Sequence, residues 1–426
     1  MERITALLER LGTPQGQFAT VHIAGTNGKG STAATLAAIL THAGIRTGLY
    51  TSPHLVRPEE RIVVNGVPIA AEDFVELIAT VRPWVNELNA TFFEAMTALA
   101  FLHFARQDVE IAVVEVGLGG RLDATNVIHP LLTLITSIDI DHTQQLGATV
   151  EQIALEKAGI IKPGVPCLTS AASAEARAVL RSVAEERGAP FFTVEDLYQV
   201  ADVTLTDRIT RLSLLNEHFS VLHLETSLVG GHQVSNAALA VGAAHLLAQQ
   251  EARITHEAVR AGLAKVHWPG RLQRISDLPT IVVDVAHNPA AVQCVVEALR
   301  LFHFRRLLLV MGVMRDKDYQ AMVKAIAPVT HRAIAVAPAT PRALPSEELA
   351  AAFRAHGVPS AVEDSPAAGL GRALSFAEPD DLILCTGSHY TVGEILGAWN
   401  NRAGQNRPVA QPPGAGHCGA TEKSVG

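Results

Sequence analysis

The sequence predicts an α/β protein in two domains, and three observations carry that reading. Residues 21–32 run as an apolar strand, a glycine-rich turn and the start of a helix. Two further largely apolar runs, 110–116 and 131–138, alternate with helical segments, a rhythm that suits a parallel sheet covered on both faces. His267-Trp268-Pro269-Gly270-Arg271 then breaks the pattern, and a second series of strands and helices begins beyond it.

A chain of 426 residues exceeds what one hydrophobic core usually organises. With 48% hydrophobic and 18% charged residues, it has material for two large cores and is not broadly disordered. The formal charge of −8, from 34 Lys and Arg against 42 Asp and Glu with no long basic run, argues against a nucleic-acid partner. Met1-Glu2-Arg3-Ile4 lacks the basic and apolar regions of a signal peptide, and no apolar run reaches membrane-spanning length, so a soluble cytoplasmic protein is expected. Cys167, Cys294, Cys385 and Cys418 are scattered without metal-ligand spacing, which points to reduced thiols.

Along the first domain, the strand and turn lead into a helix over 33–43, and 47–54 reads as a second strand running into a loop. A polar, arginine-containing segment at 57–61 precedes a helix from about Ala71, which Pro83 is expected to end or kink. Thr91 with Glu94 three residues later has capping-box spacing and opens an apolar helix over 92–106. After the strands at 110–116 and 131–138 come a helix at 150–158, a strand at 166–170 and a helix at 174–188. Residues 200–228 alternate as antiparallel strands do, ahead of a helix beginning near Asn236. The second domain reads as strands at 280–285, 306–311, 333–337 and 381–385, interleaved with helices at 290–301, 319–327 and 346–357. From Ala403, a Gly/Pro/Gln/Ser mixture without periodicity reads as a disordered tail, in which His417 and Cys418 are an incidental pair. The expected division is 1–268, 269–402 and a tail at 403–426.

Gly25-Thr26-Asn27-Gly28-Lys29-Gly30-Ser31-Thr32 gathers backbone N–H groups, a helix N-terminus and one ammonium around a small space, which is what a polyphosphate needs. Lys29 would neutralise the terminal phosphates, and the Ser31 or Thr32 hydroxyl would sit on an accompanying magnesium ion. The fit to G-x-x-x-x-G-K-[ST] is imperfect, because Ile23 replaces the first glycine and Gly30 separates Lys29 from Ser31. Glu115 closes a buried strand ahead of the polar loop 117–126. With Ser31 it makes a partial shell of hard oxygen ligands for magnesium, or else it pairs with Arg121. His142, in Asp139-Ile140-Asp141-His142, opens onto the same sheet edge and either ligates a second metal ion, oriented by Asp139 or Asp141, or is structural. Lys157 ends an apolar helix, and spacing alone makes it a helix C-terminal charge. In the second domain, Asp284-Val285-Ala286-His287-Asn288-Pro289 offers an aspartate for a ribose hydroxyl and an imidazole or amide for a base, with Arg271 across the hinge. The alternative there is an Asn-Pro turn with Asp284 as a helix cap.

Taken together, these segments resemble folylpolyglutamate synthase and the bifunctional dihydrofolate synthase/folylpolyglutamate synthase, in the Mur ligase superfamily. The resemblance rests on Gly25 to Ser31, Tyr50-Thr51-Ser52-Pro53-His54-Leu55, Glu115 to Asn126, Asp141-His142-Thr143, Glu156-Lys157-Ala158-Gly159, Pro269-Gly270-Arg271 and Asp284 to Pro289, in this order across nearly the whole chain. The variant phosphate loop is this family's form. The resemblance implies a P-loop-type Mur ligase central domain at 1–268 that binds ATP, followed by a Rossmann-like glutamate ligase domain at 269–402. It implies ATP on Thr26, Asn27, Gly28, Lys29, Gly30 and Ser31, with Asn236, Arg271, Asp284, His287 and Asn288 also at the nucleotide. Magnesium would be held by Ser31, Ser52, Glu115 and His142 across two sites, and the family also admits K+. Thr91, Phe92, Phe93 and Glu94 with Leu122, Asp123 and Ala124 match segments that hold the pterin part of the first substrate. Lys157 matches the lysine that CO2 converts to N6-carboxylysine, which reverses its reading as a helix charge. Thr386-Gly387-Ser388-His389-Tyr390 follows the family's strand-end pattern only loosely and receives no role.

The expected activity joins L-glutamate to dihydropteroate, to reduced folates, or to both, through an acyl phosphate, in a cytoplasmic monomer with no nucleic-acid or membrane partner. Lys29, His142 and Lys157 are the expected catalytic residues, with His142 either a metal ligand or a base for the glutamate amine. A related Mur-type ligase acting on another carboxylate, such as a cell-wall precursor, would be expected to carry a substrate domain ahead of the phosphate loop. Only about twenty residues precede it here, too few for a domain. A nucleotide-binding regulator without catalysis would be expected to lack one of Lys29, Glu115, His142 and Lys157, and all four are present.

Overall fold

The first sheet has eight strands: β1 (Ala19–Ala24), β2 (Thr47–Tyr50), β3 (Ile62–Val64), β4 (Val67–Pro68), β5 (Ile111–Glu115), β6 (Leu132–Ile135), β7 (Cys167–Thr169) and β8 (Phe191–Thr193). They lie in the order β4-β3-β2-β5-β1-β6-β7-β8, parallel from β2 to β8, with β3 and β4 added antiparallel at one edge. A separate antiparallel sheet comprises β9 (Gln199–Leu205), β10 (Thr210–Leu215) and β11 (Ser220–Thr226). The third sheet comprises β12 (Gln273–Asp277), β13 (Thr280–Val283), β14 (Leu307–Met311), β15 (Arg332–Val336), β16 (Ser360–Glu363) and β17 (Leu382–Thr386). Its order is β12-β13-β17-β14-β15-β16, parallel except for the β12–β13 hairpin. This computed structural model describes residues 1–216 and 220–405.

The apolar strands are buried on both faces, as their composition requires. Along β5, Val113 enters a layer with Leu36 and Leu239, while Val114 enters the opposite layer with Phe101 and Phe104. Each such side chain contributes about 1.5–3 kcal/mol by leaving water. The helix after β1 spans Lys29–His42 and packs against the helices Gly231–Ala248 and His256–Lys265. Its run of alanines lets these helices approach closely.

Strand register sets up the functional edge. Ile23 of β1 lies opposite Glu115 of β5 and Leu134 of β6, so the loops after these three strands leave the sheet at one level. In the third sheet, Val283 is opposite Cys385 and Met311 opposite Thr386, which levels the loops after β13, β14 and β17. These two edges face one another. At the far end of the contact, Arg208 in the β9–β10 turn lies 2.8 Å from Asp277 at the end of β12, and Asp207 pairs with Arg274.

Some expectations shift. The helix from Ala71 does not end at Pro83 but runs to Leu88. Pro83 and Ala79 are both exposed, so the carbonyl that loses its partner stays reachable by water. The phosphate-loop helix begins at Lys29 instead of residue 33, and the later helix at Gly231 instead of Asn236. The short β8, β12 and β16 and the β3–β4 hairpin were not expected from the pattern. The last helix, His389–Gln405, continues into the segment read as tail, and residues 406–426, with His417 and Cys418, lie outside the described residues. Among the described residues no helix is long and apolar enough to cross a membrane, and Cys167, Cys294 and Cys385 are free thiols.

Candidate active site

A cleft of about 530 Å³ lies where the two sheet edges meet. The first domain supplies the phosphate loop, Ser52, Glu115, His142, Lys157 and Asn236, and the second supplies Arg271, Asp284 and His287.

The phosphate loop is rigid before any ligand arrives. Thr26 Oγ1 donates to the Asp139 carbonyl, Asn27 Nδ2 donates to Asp139 Oδ2 at 3.1 Å, and Thr136 Oγ1 donates to the Asn27 carbonyl at 2.7 Å. Gly28 caps the helix at φ +85°, and a Cβ there would lie 2.2 Å from Asn236 Oδ1, so only glycine fits. Lys29 Nζ rests on the Thr26 carbonyl at 3.2 Å. Among the described residues the buried hydroxyls of Ser31 and Thr32 have no partner, although such groups are normally hydrogen-bonded. They stand ready for a ligand that brings its own acceptors or a cation.

Glu115 is buried and accepts the Ser52 N–H at 3.1 Å. Burial raises its pKa above the usual carboxylate range, opposed chiefly by the charge of Lys29. It does not pair with Arg121, which instead binds Glu156 at 2.8 Å. Among the described residues no group of three or more His, Cys, Asp or Glu gathers at one point, so a cation here would rely on hydroxyls, this carboxylate and water.

Lys157 reaches back from the end of its helix and donates to the Gly25 carbonyl at 2.8 Å, beneath the phosphate loop. Burial, then the charge of Lys29, pushes its pKa down to about 7. Helix spacing had hidden this position, since a solvated C-terminal lysine would show neither feature.

His142 sits at φ +51° at the start of a short helix, and burial above all lowers its pKa. Its Nε2 lies 3.2 Å from Lys317 Nζ. Lys317, on the loop after β14, pairs with Asp141 Oδ1 at 2.6 Å, both side chains being nearly buried. Burial alone would raise the pKa of Asp141, but the Lys317 hydrogen bond and charge, with the Asn288 amide, outweigh it and hold it far below the usual range. Asn288 donates to Asn27 Oδ1 at 3.0 Å and to Asp141 Oδ2 at 2.9 Å, and its Oδ1 caps the helix Pro289–Ala298.

Asn288, not Asp284, is therefore the cap. Both oxygens of Asp284 accept backbone N–H groups, from Leu272 and Ala286, each at 2.8 Å. His287 Nδ1 donates to the Val285 carbonyl at 2.9 Å, and burial above all brings its pKa down to about 4. Its ring is 5.3 Å from that of His389. Asn236 donates to Gln233 Oε1 at 2.9 Å.

The residues matched to the pterin segment lie beside this cleft and do not line it. Thr91 and Glu94 form the expected reciprocal cap, and Asp123 is committed to Thr125 and the Leu118 N–H. Ala124 is buried and Phe93 packs against Gly117, which leaves Phe92, under Arg61, and Leu122 as the exposed apolar surfaces of the group. Sequence reasoning missed Lys317, Arg342, His232 and Gln233, all of which line the cleft, as do Ser388, His389 and Tyr390 of the segment given no role. The available signal was position: each follows a strand of the same edge or opens a helix there.

Comparison with known proteins agrees with this geometry. The Mur ligase middle domain matches residues 23–244, and the Mur ligase glutamate ligase domain matches residues 270–389. A Bacillus subtilis dihydrofolate synthase/folylpolyglutamate synthase is 38% identical over 402 residues, covering 92% of this chain and 93% of that protein. The Escherichia coli protein of the same name is 32% identical, covering 93% and 90%. Mycobacterium tuberculosis folylpolyglutamate synthase complexed with ADP superposes with a TM-score of 0.88 at 35% identity, covering 93% and 94%. Escherichia coli FolC in complex with DHPP and ADP gives 0.86 at 30% identity, covering 95% and 94%. The chain thus belongs to the folylpolyglutamate synthase/dihydrofolate synthase family of Mur ligases, ATP-dependent enzymes that ligate L-glutamate to pteroate compounds.

Proposed function

We propose that the interdomain cleft is where this ligase activates its acceptor, with residues 1–268 as the ATP-binding unit and 269–402 as the glutamate ligase unit. The observation that carries the proposal is convergence: Lys29, Glu115, His142 and Lys157 arrive from separate elements at one sheet edge, facing Arg271, His287 and Lys317 from the other.

In this reading Thr26 to Ser31 cradle the ATP phosphates, while Asn236, Arg271, Asp284 and His287 form the walls for the remainder of the nucleotide, and Asn288, which does not line the cleft, holds Asn27 and Asp141 in place behind it. The unpartnered Ser31 hydroxyl and buried Glu115, both lining the cleft, fit magnesium, which Ser31, Ser52, Glu115 and His142 would hold across two sites. When bound, magnesium supplies charge neutralisation on the transferring phosphoryl group. Lys29 holds the γ-phosphate in line as the acceptor carboxylate attacks phosphorus and ADP departs. The L-glutamate amine, having given up one proton to solvent or to His142, then adds to the acyl carbon, and phosphate leaves with the C–O bond electrons as the tetrahedral intermediate collapses and the nitrogen loses its second proton. The low pKa of Lys157 leaves much of its amine neutral near pH 7. That nitrogen can add to CO2 and release a proton, which turns a cation into an anionic oxygen donor beneath the phosphate loop. Closure of the two edges excludes water from the acyl phosphate.

Since the cleft is completed within one chain, we take the working unit to be a monomer, and the free thiols suit the cytoplasm. Purified protein assayed in parallel with dihydropteroate and with tetrahydrofolate, each product weighed by mass spectrometry, decides whether one or both ligations occur. A gain of one glutamyl unit on at least one acceptor is expected, and no gain on either would refute the assignment.

A further inference from the structure

A second cavity, of about 460 Å³, meets the first at Gly30, Ser52, Glu115, Arg271 and His389 and runs away from it between the phosphate-loop helix and the β2–β3–β4 edge. Its floor is apolar, formed by Ala34, Ala37, Leu49 and Val63 with the Trp268 indole. Its outer end carries His42, Lys265 and His267, all exposed. Two carboxylates also line it. Glu60 accepts the N–H groups of Leu55, Val56 and Arg57, and Glu115 is buried at the junction with the first cavity. None of the seven residues matched to the pterin segment lines either cavity.

We infer that this second cavity holds the γ-linked oligoglutamyl tail of an acceptor, with its terminal carboxylate presented at Ser52 and Glu115 to the phosphate-binding cavity. The inference rests on the ligase reading above and follows from the geometry of repeated ligation. Every cycle must return a new terminal carboxylate to the same reacting point, so the rest of the acceptor must move outward by one glutamyl unit. A channel that starts at the reacting point and opens at the surface permits that movement. The tail's chemistry also matches the walls: methylene pairs lie on the apolar floor, while the pendant α-carboxylates meet the Lys265 ammonium and the polar imidazoles of His42 and His267 at the mouth. The short acceptor without a tail leaves the mouth unused.

The test compares the unsubstituted protein with Lys265→Glu/His267→Glu, both changes on exposed positions outside the reacting centre. Initial rates are measured with tetrahydropteroyl monoglutamate and tetrahydropteroyl triglutamate, and product chain lengths are resolved by chromatography. The variant should raise KM for the triglutamate about five-fold or more, leave monoglutamate kcat/KM unchanged, and shorten the products. Equal effects on both acceptors would place the pterin head in the channel and overturn the inference. So would no effect on either, or a tail-length distribution that does not move. Direct titration of the triglutamate against both proteins separates the two levels: unaltered binding overturns the channel, whereas absence of glutamate incorporation by the unsubstituted protein overturns the ligase reading and the channel's occupant with it.

Discussion

Lys317 Nζ lies 2.6 Å from Asp141 Oδ1 and 3.2 Å from His142 Nε2, so one lysine of the third sheet's edge fastens the loop after β6 to the opposite domain. Both side chains of the ion pair are under a tenth exposed. Removing one partner leaves the other charged and buried, which costs about 3–5 kcal/mol. Lys317→Met should therefore lower the thermal midpoint substantially, while Lys317→Met with Asp141→Asn should recover much of the loss. A loss in the double variant equal to the sum of the losses in Lys317→Met and Asp141→Asn would show that the pair is not coupled.

The same pair sets a pH dependence. Asp141 has a depressed pKa in the folded chain, so its stabilisation is complete above about pH 4, the ordinary carboxylate value, and fades as acid approaches its native value. Denaturant titrations below pH 4 should show a steeper loss in the parent than in Asp141→Asn.

Lys157 makes the opposite kind of titration visible. Its pKa of about 7 means that the neutral, CO2-reactive amine grows as pH rises through that value. Protein equilibrated with 13C-labelled bicarbonate should show a carbamate resonance that strengthens from pH 6 to 8 and is missing from Lys157→Ala. That variant should lose ligase activity and regain part of it with short-chain carboxylates. Full activity without them would remove the carbamate from the account.

Gly28→Ala tests the phosphate loop. The new Cβ meets Asn236 Oδ1 and the left-handed backbone is strained, a cost of about 1–3 kcal/mol. ATP affinity, read by titration calorimetry, should fall at least about ten-fold. Unchanged affinity would mean that the loop's observed shape is not its binding shape.

Arg271→Ala addresses the wall contributed by the second domain. Burial lowers the guanidinium pKa while the charge of Asp284 opposes that shift, so Arg271 carries a charge that burial makes costly without an anion nearby. ATP affinity should weaken more than the acceptor's KM, and the reverse order would reassign this wall of the cleft to the acceptor.

Much of this arrangement was legible in the residues because parallel strands advertise themselves. Apolar runs at β1, β5 and β6 end in polar motifs, and parallel pairing of these strands brings those ends together, so the residues alone group Lys29, Glu115 and His142. Lys157 was misread from spacing because a helix-end lysine looks solvated until the fold tucks it under Gly25. Pro83 looked like a helix end or kink because local sterics say nothing about whether water can reach the freed carbonyl. Lys317 stayed hidden because its partner Asp141 is 176 positions away and no local pattern encodes that distance. The strand-end segment Ser388 to Tyr390 was passed over for a weak motif match, although its place after β17 put it on the same edge.

The central claim is that the cleft activates a pteroate carboxylate for attack by L-glutamate. It is tested most directly by phosphate release from ATP, measured with a pteroate acceptor and L-glutamate supplied together, singly, or not at all. Sustained release only when both are present is the predicted result, and ATP turnover indifferent to either one would contradict the claim.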